Sequence, residues 1–219
     1  MDCRFGFGRT RREGMAAAGL EETTRAEAGA VARHIARAAS RLFAGRGYDA
    51  TSVREIVEAA GVTKPTLYYH FGSKEGLARA LLCDPHEALI EKLAARLDAG
   101  GDAIELLEDF MRAHFEFCGD DPDRMRFALA LVFGPPGSSL AAEIHQYHVA
   151  LMEQMARVVA RIVDAGVIAE SRAGDFMRDC KGLIFITLIE HLYKSQDLDP
   201  GISRKLVHEL LYGFVNEHA

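Results

Sequence analysis

Between Thr51 and Lys74 the chain reads TSVREIVEAAGVTKPTLYYHFGSK, with a lysine, a threonine, two tyrosines and a histidine gathered in the seven residues Lys64 to His70. Phenol and hydroxyl groups donate to phosphate oxygens, apolar surface meets thymine methyls, and a lysine offers a cation to a polyanion. On a helix, Leu67 and Phe71 lie four apart and face inward, whereas Pro65, Thr66, Tyr68 and Tyr69 project largely to the other side. Tyr68 reads either as part of that outer face or as partly core. An exposed aromatic face on so short a helix is accounted for by a helix that reads DNA.

The flanking residues supply the elements that must position it. Ser52 and Glu55 form a capping box, and Val53, Ile56, Val57 and Ala60 make one apolar stripe ending at Gly61. Gly61 suits a sharp turn between two helices, where a Cβ would be in the way. Thr63 is an N-cap for the next helix and Pro65 sits in its first turn, where amide groups lack intrahelical partners. Gly72-Ser73 ends that helix, and Ser73 caps another carrying Leu77, Ala80 and Leu81, then Leu89, Leu93 and Leu97 beyond a Pro85 that kinks or splits it. Upstream, Val31, Ile35, Ala38, Ala39, Leu42 and Phe43 recur at helical spacing and stop at Gly45 and Gly47. Residues 1–27 show no sustained apolar period and read as a flexible tail, either inert or a basic arm along the DNA backbone.

The run LFAGRGYDATSVREIVEAAGVTKPTLYYHFGSKEGL, within about Val31 to Leu82, resembles the DNA-binding domain of the TetR family of bacterial regulators. The resemblance covers about a quarter of the chain and is specific, because glycines, caps and aromatics all fall in register. It implies that Lys64, Pro65 and Thr66 enter the major groove with Tyr68 beside them. By the same carry-over, Arg54 reaches a base or phosphate unless it is merely a solvated or ion-paired surface residue. Tyr69, His70 and Lys74 match positions that hold phosphates, and Thr63 caps with a backbone contact open to it. It further implies a homodimer through the last two helices, bound to an inverted repeat of double-stranded operator DNA and answering to a small-molecule effector, with repression the usual outcome.

Beyond Gly101 the pattern is helical throughout, with breaks at Gly119 to Asp123, Gly134 to Ser139, Gly166 to Gly174 and Asp197 to Gly201, and no strand alternation. The fold class is therefore all-α: a small three-helix helix-turn-helix domain over residues 28–82 and a larger helical effector and dimerisation domain over 83–219. Ile202, Leu206, Leu210 and Phe214 recur every four residues after a helix containing GLIFITLI, more apolar surface than one helical domain usually hides. Pocket candidates are Phe110, His114, Phe127, Leu131, His145, His148, Met152, Phe185 and His191, with Phe117, Phe133 and Tyr147 of similar character; the same residues also suit an ordinary core. With no cationic cluster beside them, a neutral, hydrophobic effector is expected, and no cofactor.

Charge is asymmetric within a net −6: residues 1–82 carry 13 Lys/Arg against 9 Asp/Glu, and the remainder 13 against 23. The basic end is where a polyanion docks. The longest apolar run, Gly182 to Ile189, is too short to span a bilayer, and no secretory pattern follows the N-terminal arginines, so a cytoplasmic protein without membrane contact is expected. Cys3, Cys83, Cys118 and Cys180 form no CxxC pair and read as thiols. A phosphate-binding glycine loop and a GxSxG elbow are both missing, and the reading is not an enzyme. Its rivals are a helical metal-dependent enzyme using His145-x-x-His148 with His114 or His191, and an interaction module that has lost DNA binding.

Overall fold

The computed structural model describes residues 10–134, 139–194 and 196–213, with side chains from residue 27 onward. Cys3, Phe214 and the first nine residues of the expected tail lie outside that description. Among the described residues the fold is all-α: α1 (Thr10–Arg46), α2 (Val53–Ala59), α3 (Lys64–Phe71), α4 (Lys74–Asp98), α5 (Ala103–Asp120), α6 (Pro122–Phe133), α7 (Ser139–Asp164), α8 (Ala173–Lys194) and α9 (Ile202–Tyr212). No helix among them is long and apolar enough to cross a membrane.

The expected tail is helical from Thr10 onward, because α1 starts there and not near residue 28. Ala16, Ala17, Ala18, Leu20, Glu21 and Glu22 are strong helix formers without an apolar stripe, so propensity carries a helix that periodicity does not reveal. Gly45 lies inside α1, and Gly47, at φ 89°, ends it. Thr51, fully buried, donates its hydroxyl to the Gly47 carbonyl at 2.8 Å and so closes the loop into α2. α4 runs unbroken through Pro85, with one ladder bond missing where proline lacks its N–H.

Two apolar cores organise the chain. One joins α4, α5, α7, α8 and α9 around Leu107, Phe110, Met111, Met155 and Val158. The other gathers Ile35, Phe43, Ile56, Leu67, Leu77 and Leu82 beneath α3, and it also takes in Phe127 and Ala128 of α6 and Leu140 and Ile144 of α7. The division at residue 82 is thus bridged: helices of the larger part complete the core of the smaller. Phe127 is seated 4.9 Å from Phe43 and 6.2 Å from Tyr48, ring centre to ring centre. Alongside it the Ser40 hydroxyl on α1 donates to the carboxylate of Asp121 at 3.2 Å, and Asp121 in turn caps α6 by accepting from Arg124 N–H at 2.9 Å.

Candidate nucleic-acid interface and internal cavity

The short helices around α3 form as their caps dictate. Ser52 accepts from Glu55 N–H while the Glu55 carboxylate accepts from Ser52 N–H at 2.8 Å, the reciprocal capping box. These bonds, with the Arg46 guanidinium, hold the Glu55 carboxyl below its usual range, the Ser52 bonds first. Gly61 adopts φ 60°, which lets Val62 N–H return to Val57 C=O at 3.0 Å. A Cβ there would meet open space, so glycine is needed for its backbone conformation and not, as expected, to avoid crowding. Thr63 caps α3 as expected, its oxygen accepting from Thr66 N–H at 3.4 Å and sharing a 2.8 Å hydrogen bond with the Thr66 hydroxyl.

α3 buries Leu67 completely and presents its other side to solvent, with Tyr69 81% and Tyr68 47% exposed. Tyr68 therefore belongs mainly to the outer face. Lys64 and Pro65 are exposed at the start of the helix and Thr66 is half-buried. His70 is half-buried, edge-on to Tyr69 at 5.1 Å. Lys74 extends its ammonium over the Tyr48 ring, 4.2 Å from the centroid, which fixes a cation at the first turn of α4. Arg54 is exposed and paired with Glu58 one turn on at 2.7 Å. That pair is worth little in water, so releasing Arg54 to an anion costs little. Tyr48 is half-buried between Phe43 and that ammonium.

A cavity of about 340 Å³, mostly apolar, lies between α4, α5, α6, α7 and α8. His114, His148, Met152 and Phe185 line it as expected, as does Phe133. The other candidates stand elsewhere. Phe110 belongs to the larger core and Phe127 to the smaller, Leu131 packs against the smaller, His145 is exposed, and the His191 ring is turned to the Gln196 carbonyl at 2.8 Å. Sequence reasoning missed His86, Met125, Ile144, Lys181 and Leu188 among the lining. His86 carried a readable signal: it continues the stripe of Leu82, Leu89 and Leu93, a position where a helix of this kind calls for leucine. No group of three or more His, Cys, Asp or Glu among the described residues is placed to hold a metal ion, so the His145 and His148 arrangement does not assemble one.

Burial sets the protonation of the cavity imidazoles. It pushes His114 from 6.5 down to about 4, partly opposed by the Phe110 carbonyl and reinforced by His86 and His148. His86 is lowered by burial first, and His148 by burial and then by His145 and Lys181. With a depressed folded value, the unfolded chain binds the proton first. The contribution of His114 to stability is therefore full above pH 6.5 and is lost as pH falls toward about 4. Its slope approaches about 1.4 kcal/mol per pH unit. Urea unfolding from pH 7 to pH 4 should show a shallower decline for His114→Gln than for the unaltered chain; parallel declines would contradict the assignment.

Residues 35–81 match the sequence profile of the bacterial regulatory proteins of the tetR family. Among relatives, the HTH-type transcriptional repressor KstR2 of Mycolicibacterium smegmatis is 37% identical over 78 residues, covering 36% of this chain and 38% of KstR2. The chain therefore aligns with well under half the length of that relative. The fold extends further. The TetR family regulator PfmR from Thermus thermophilus superposes with a TM-score of 0.67 at 22% identity, over 83% of this chain and 99% of PfmR. The regulator FadR from Bacillus subtilis, solved with stearoyl-CoA, gives 0.64 at 21% identity, over 84% and 99%. Profile and relative agree with the capped α2–turn–α3 geometry: residues 35–81 match the tetR family of bacterial regulatory proteins, and the fold beyond them is similar to that of solved regulators of the same family.

Proposed function

We propose that the chain is a ligand-responsive transcriptional regulator that binds an inverted-repeat operator as a homodimer, repressing as KstR2 does. The observation that carries this reading is α3 itself, a helix fully anchored through Leu67 whose other face offers Lys64, Pro65, Thr66, Tyr68 and Tyr69 to a partner. Lys64 and Thr66 stand at its N-terminal end, where a recognition helix meets base edges. Tyr69, His70 and Lys74 flank them for phosphate, and Arg54 and Thr63 complete the rim. Dimerisation through α8 and α9 is supported by Phe185, Ile186, Tyr193 and Tyr212, between 44% and 65% exposed on those helices.

The cavity is proposed as the effector site, in keeping with FadR, which was solved with an acyl-CoA. A lining that is apolar apart from its imidazoles and Lys181 favours a largely hydrophobic effector. Coupling to α3 has a short route. Ala128 and Ile144 line the cavity and also belong to the core beneath α3. On the other face of α7, Glu143 accepts from Arg79 at 2.7 Å and Tyr147 donates to Glu87 at 2.6 Å, both partners being on α4. A ligand that shifts α6 and α7 moves the helices on which the reading head stands, provided it binds the two arrangements unequally.

Single variants test the DNA reading. Tyr69→Ala and Lys74→Ala should weaken binding to all duplexes alike, Lys74→Ala lowering the slope of log affinity against log salt by about 1 for each phosphate it no longer neutralises. Lys64→Ala or Thr66→Ala should change which sequence is preferred, by about 1–3 kcal/mol at the base concerned. Titration of specific and random duplexes at several salt concentrations separates the two classes. Equal loss on every duplex for all four variants contradicts the assignment.

A further inference from the structure

Two imidazoles in the cavity wall are wired the same way. His114, 8% exposed, has Nδ1 3.0 Å from the Phe110 carbonyl, and His86, 6% exposed, has Nδ1 2.5 Å from the Leu82 carbonyl. A carbonyl oxygen only accepts, so each Nδ1 carries the hydrogen, and each neutral ring keeps its acceptor lone pair on Nε2. Neighbouring aromatics hold both rings in place: Phe110 lies 4.5 Å from His114, and Phe117 stands edge-on to His86 at 4.8 Å. Among the described residues nothing donates to either Nε2. Neither atom is among the buried polar atoms sealed without a partner, which are Arg124 Nε, Glu143 Oε2 and His191 Nε2. The two Nε2 atoms therefore border open space, and the open space these rings line is the cavity.

We propose that the effector is a compact apolar molecule bearing a neutral hydrogen-bond donor, a phenolic or alcoholic hydroxyl, whose single O–H it donates to Nε2 of one of these two rings, His86 or His114. The proposal rests on the cavity being the effector site. A pure hydrocarbon would cover two acceptors without pairing them, and an ionised carboxylate would bring oxygen lone pairs against nitrogen lone pairs, with no proton between them. Both lose to the hydroxyl. The cationic Lys181 is exposed at the rim and leaves the buried end to neutral chemistry.

Three probes of matched shape distinguish the possibilities in the full-length protein: 4-propylphenol, propylbenzene and 4-propylbenzoate, each titrated calorimetrically near pH 8. The phenol should bind about tenfold or more tightly than either of the others. In histidine-labelled protein, the Nε2 nitrogen-15 resonance of at least one of His86 and His114 should move on adding the phenol, and both should stay in place with propylbenzene. Replacing the ring whose resonance moves, by His114→Phe or His86→Phe, should lose the preference while propylbenzene still binds, and the resonance shift tests the same contact without any substitution. Equal affinity for phenol and hydrocarbon, benzoate binding as tight as phenol, or phenol binding without a shift at either Nε2 would overturn the donor requirement and leave the cavity as an effector site. Binding of none of the three would overturn the effector-site reading, and this proposal with it.

Discussion

Phe127→Ala is expected to cost about 3–5 kcal/mol of folding stability, the range for removing a buried aromatic ring. Phe127 is among the largest fully buried side chains, and it comes from α6 to fill the core beneath α3, against Phe43 and Tyr48. Truncation leaves a void where helices from both parts of the chain meet, and α1, α4 and α6 cannot all collapse into it without shifting α3. Residues on either side deepen the effect: Asp121 ties α6 to Ser40 of α1, and Ala128 faces both this core and the cavity. Urea denaturation measures the stability, and operator titration of the folded fraction measures the coupling. A variant within about 1 kcal/mol of the parent would mean that α6 is not part of the reading head's core.

Gly76→Ala is expected to cost at least about 2 kcal/mol and to weaken DNA binding even where the chain remains folded. A Cβ at this position would stand 2.1 Å from the carbonyl oxygen of Phe71, the last residue of α3. Backbone cannot step aside as a flexible side chain can, so the first turn of α4 must move relative to α3. That turn is fixed by the Ser73 cap, which accepts from Gly76 N–H at 2.9 Å, and it carries Lys74 over Tyr48. The substitution therefore disturbs a cap, a cation and the end of α3 together. Thermal unfolding and titration with a fixed duplex report the two consequences, and an unchanged melting temperature would show that the turn has room.

The reading head is legible in the sequence because its determinants are local. Ser52 with Glu55, Thr63 before Lys64-Pro65, and Ser73 after Gly72 are caps that act within four residues, and all three form as their spacing predicts. Helix breaks further along are legible for the same reason. What escapes depends on where distant residues meet. Nothing in the stretch around Phe127 distinguishes a pocket aromatic from one that crosses into a neighbouring core, and although His86 stands out as an interruption of a leucine stripe, what it faces is set only when Phe117 of α5 and Tyr147 of α7 pack against it. Of the nine pocket candidates, His114, His148, Met152 and Phe185 reach the cavity; composition offers no way to separate them from Phe110 or His191. Gly61 stands where the turn requires it, but the requirement is a positive φ and not space.

Central to the account is a two-fold reader of DNA built on α3. The direct measurement is selection of bound sequences from a random duplex pool by the purified full-length protein, at moderate salt and without added effector. Enrichment of an inverted repeat, its half-sites about one helical turn apart or somewhat more, is the predicted result. Recovery of a single unrepeated half-site, or of nothing above background, would contradict it.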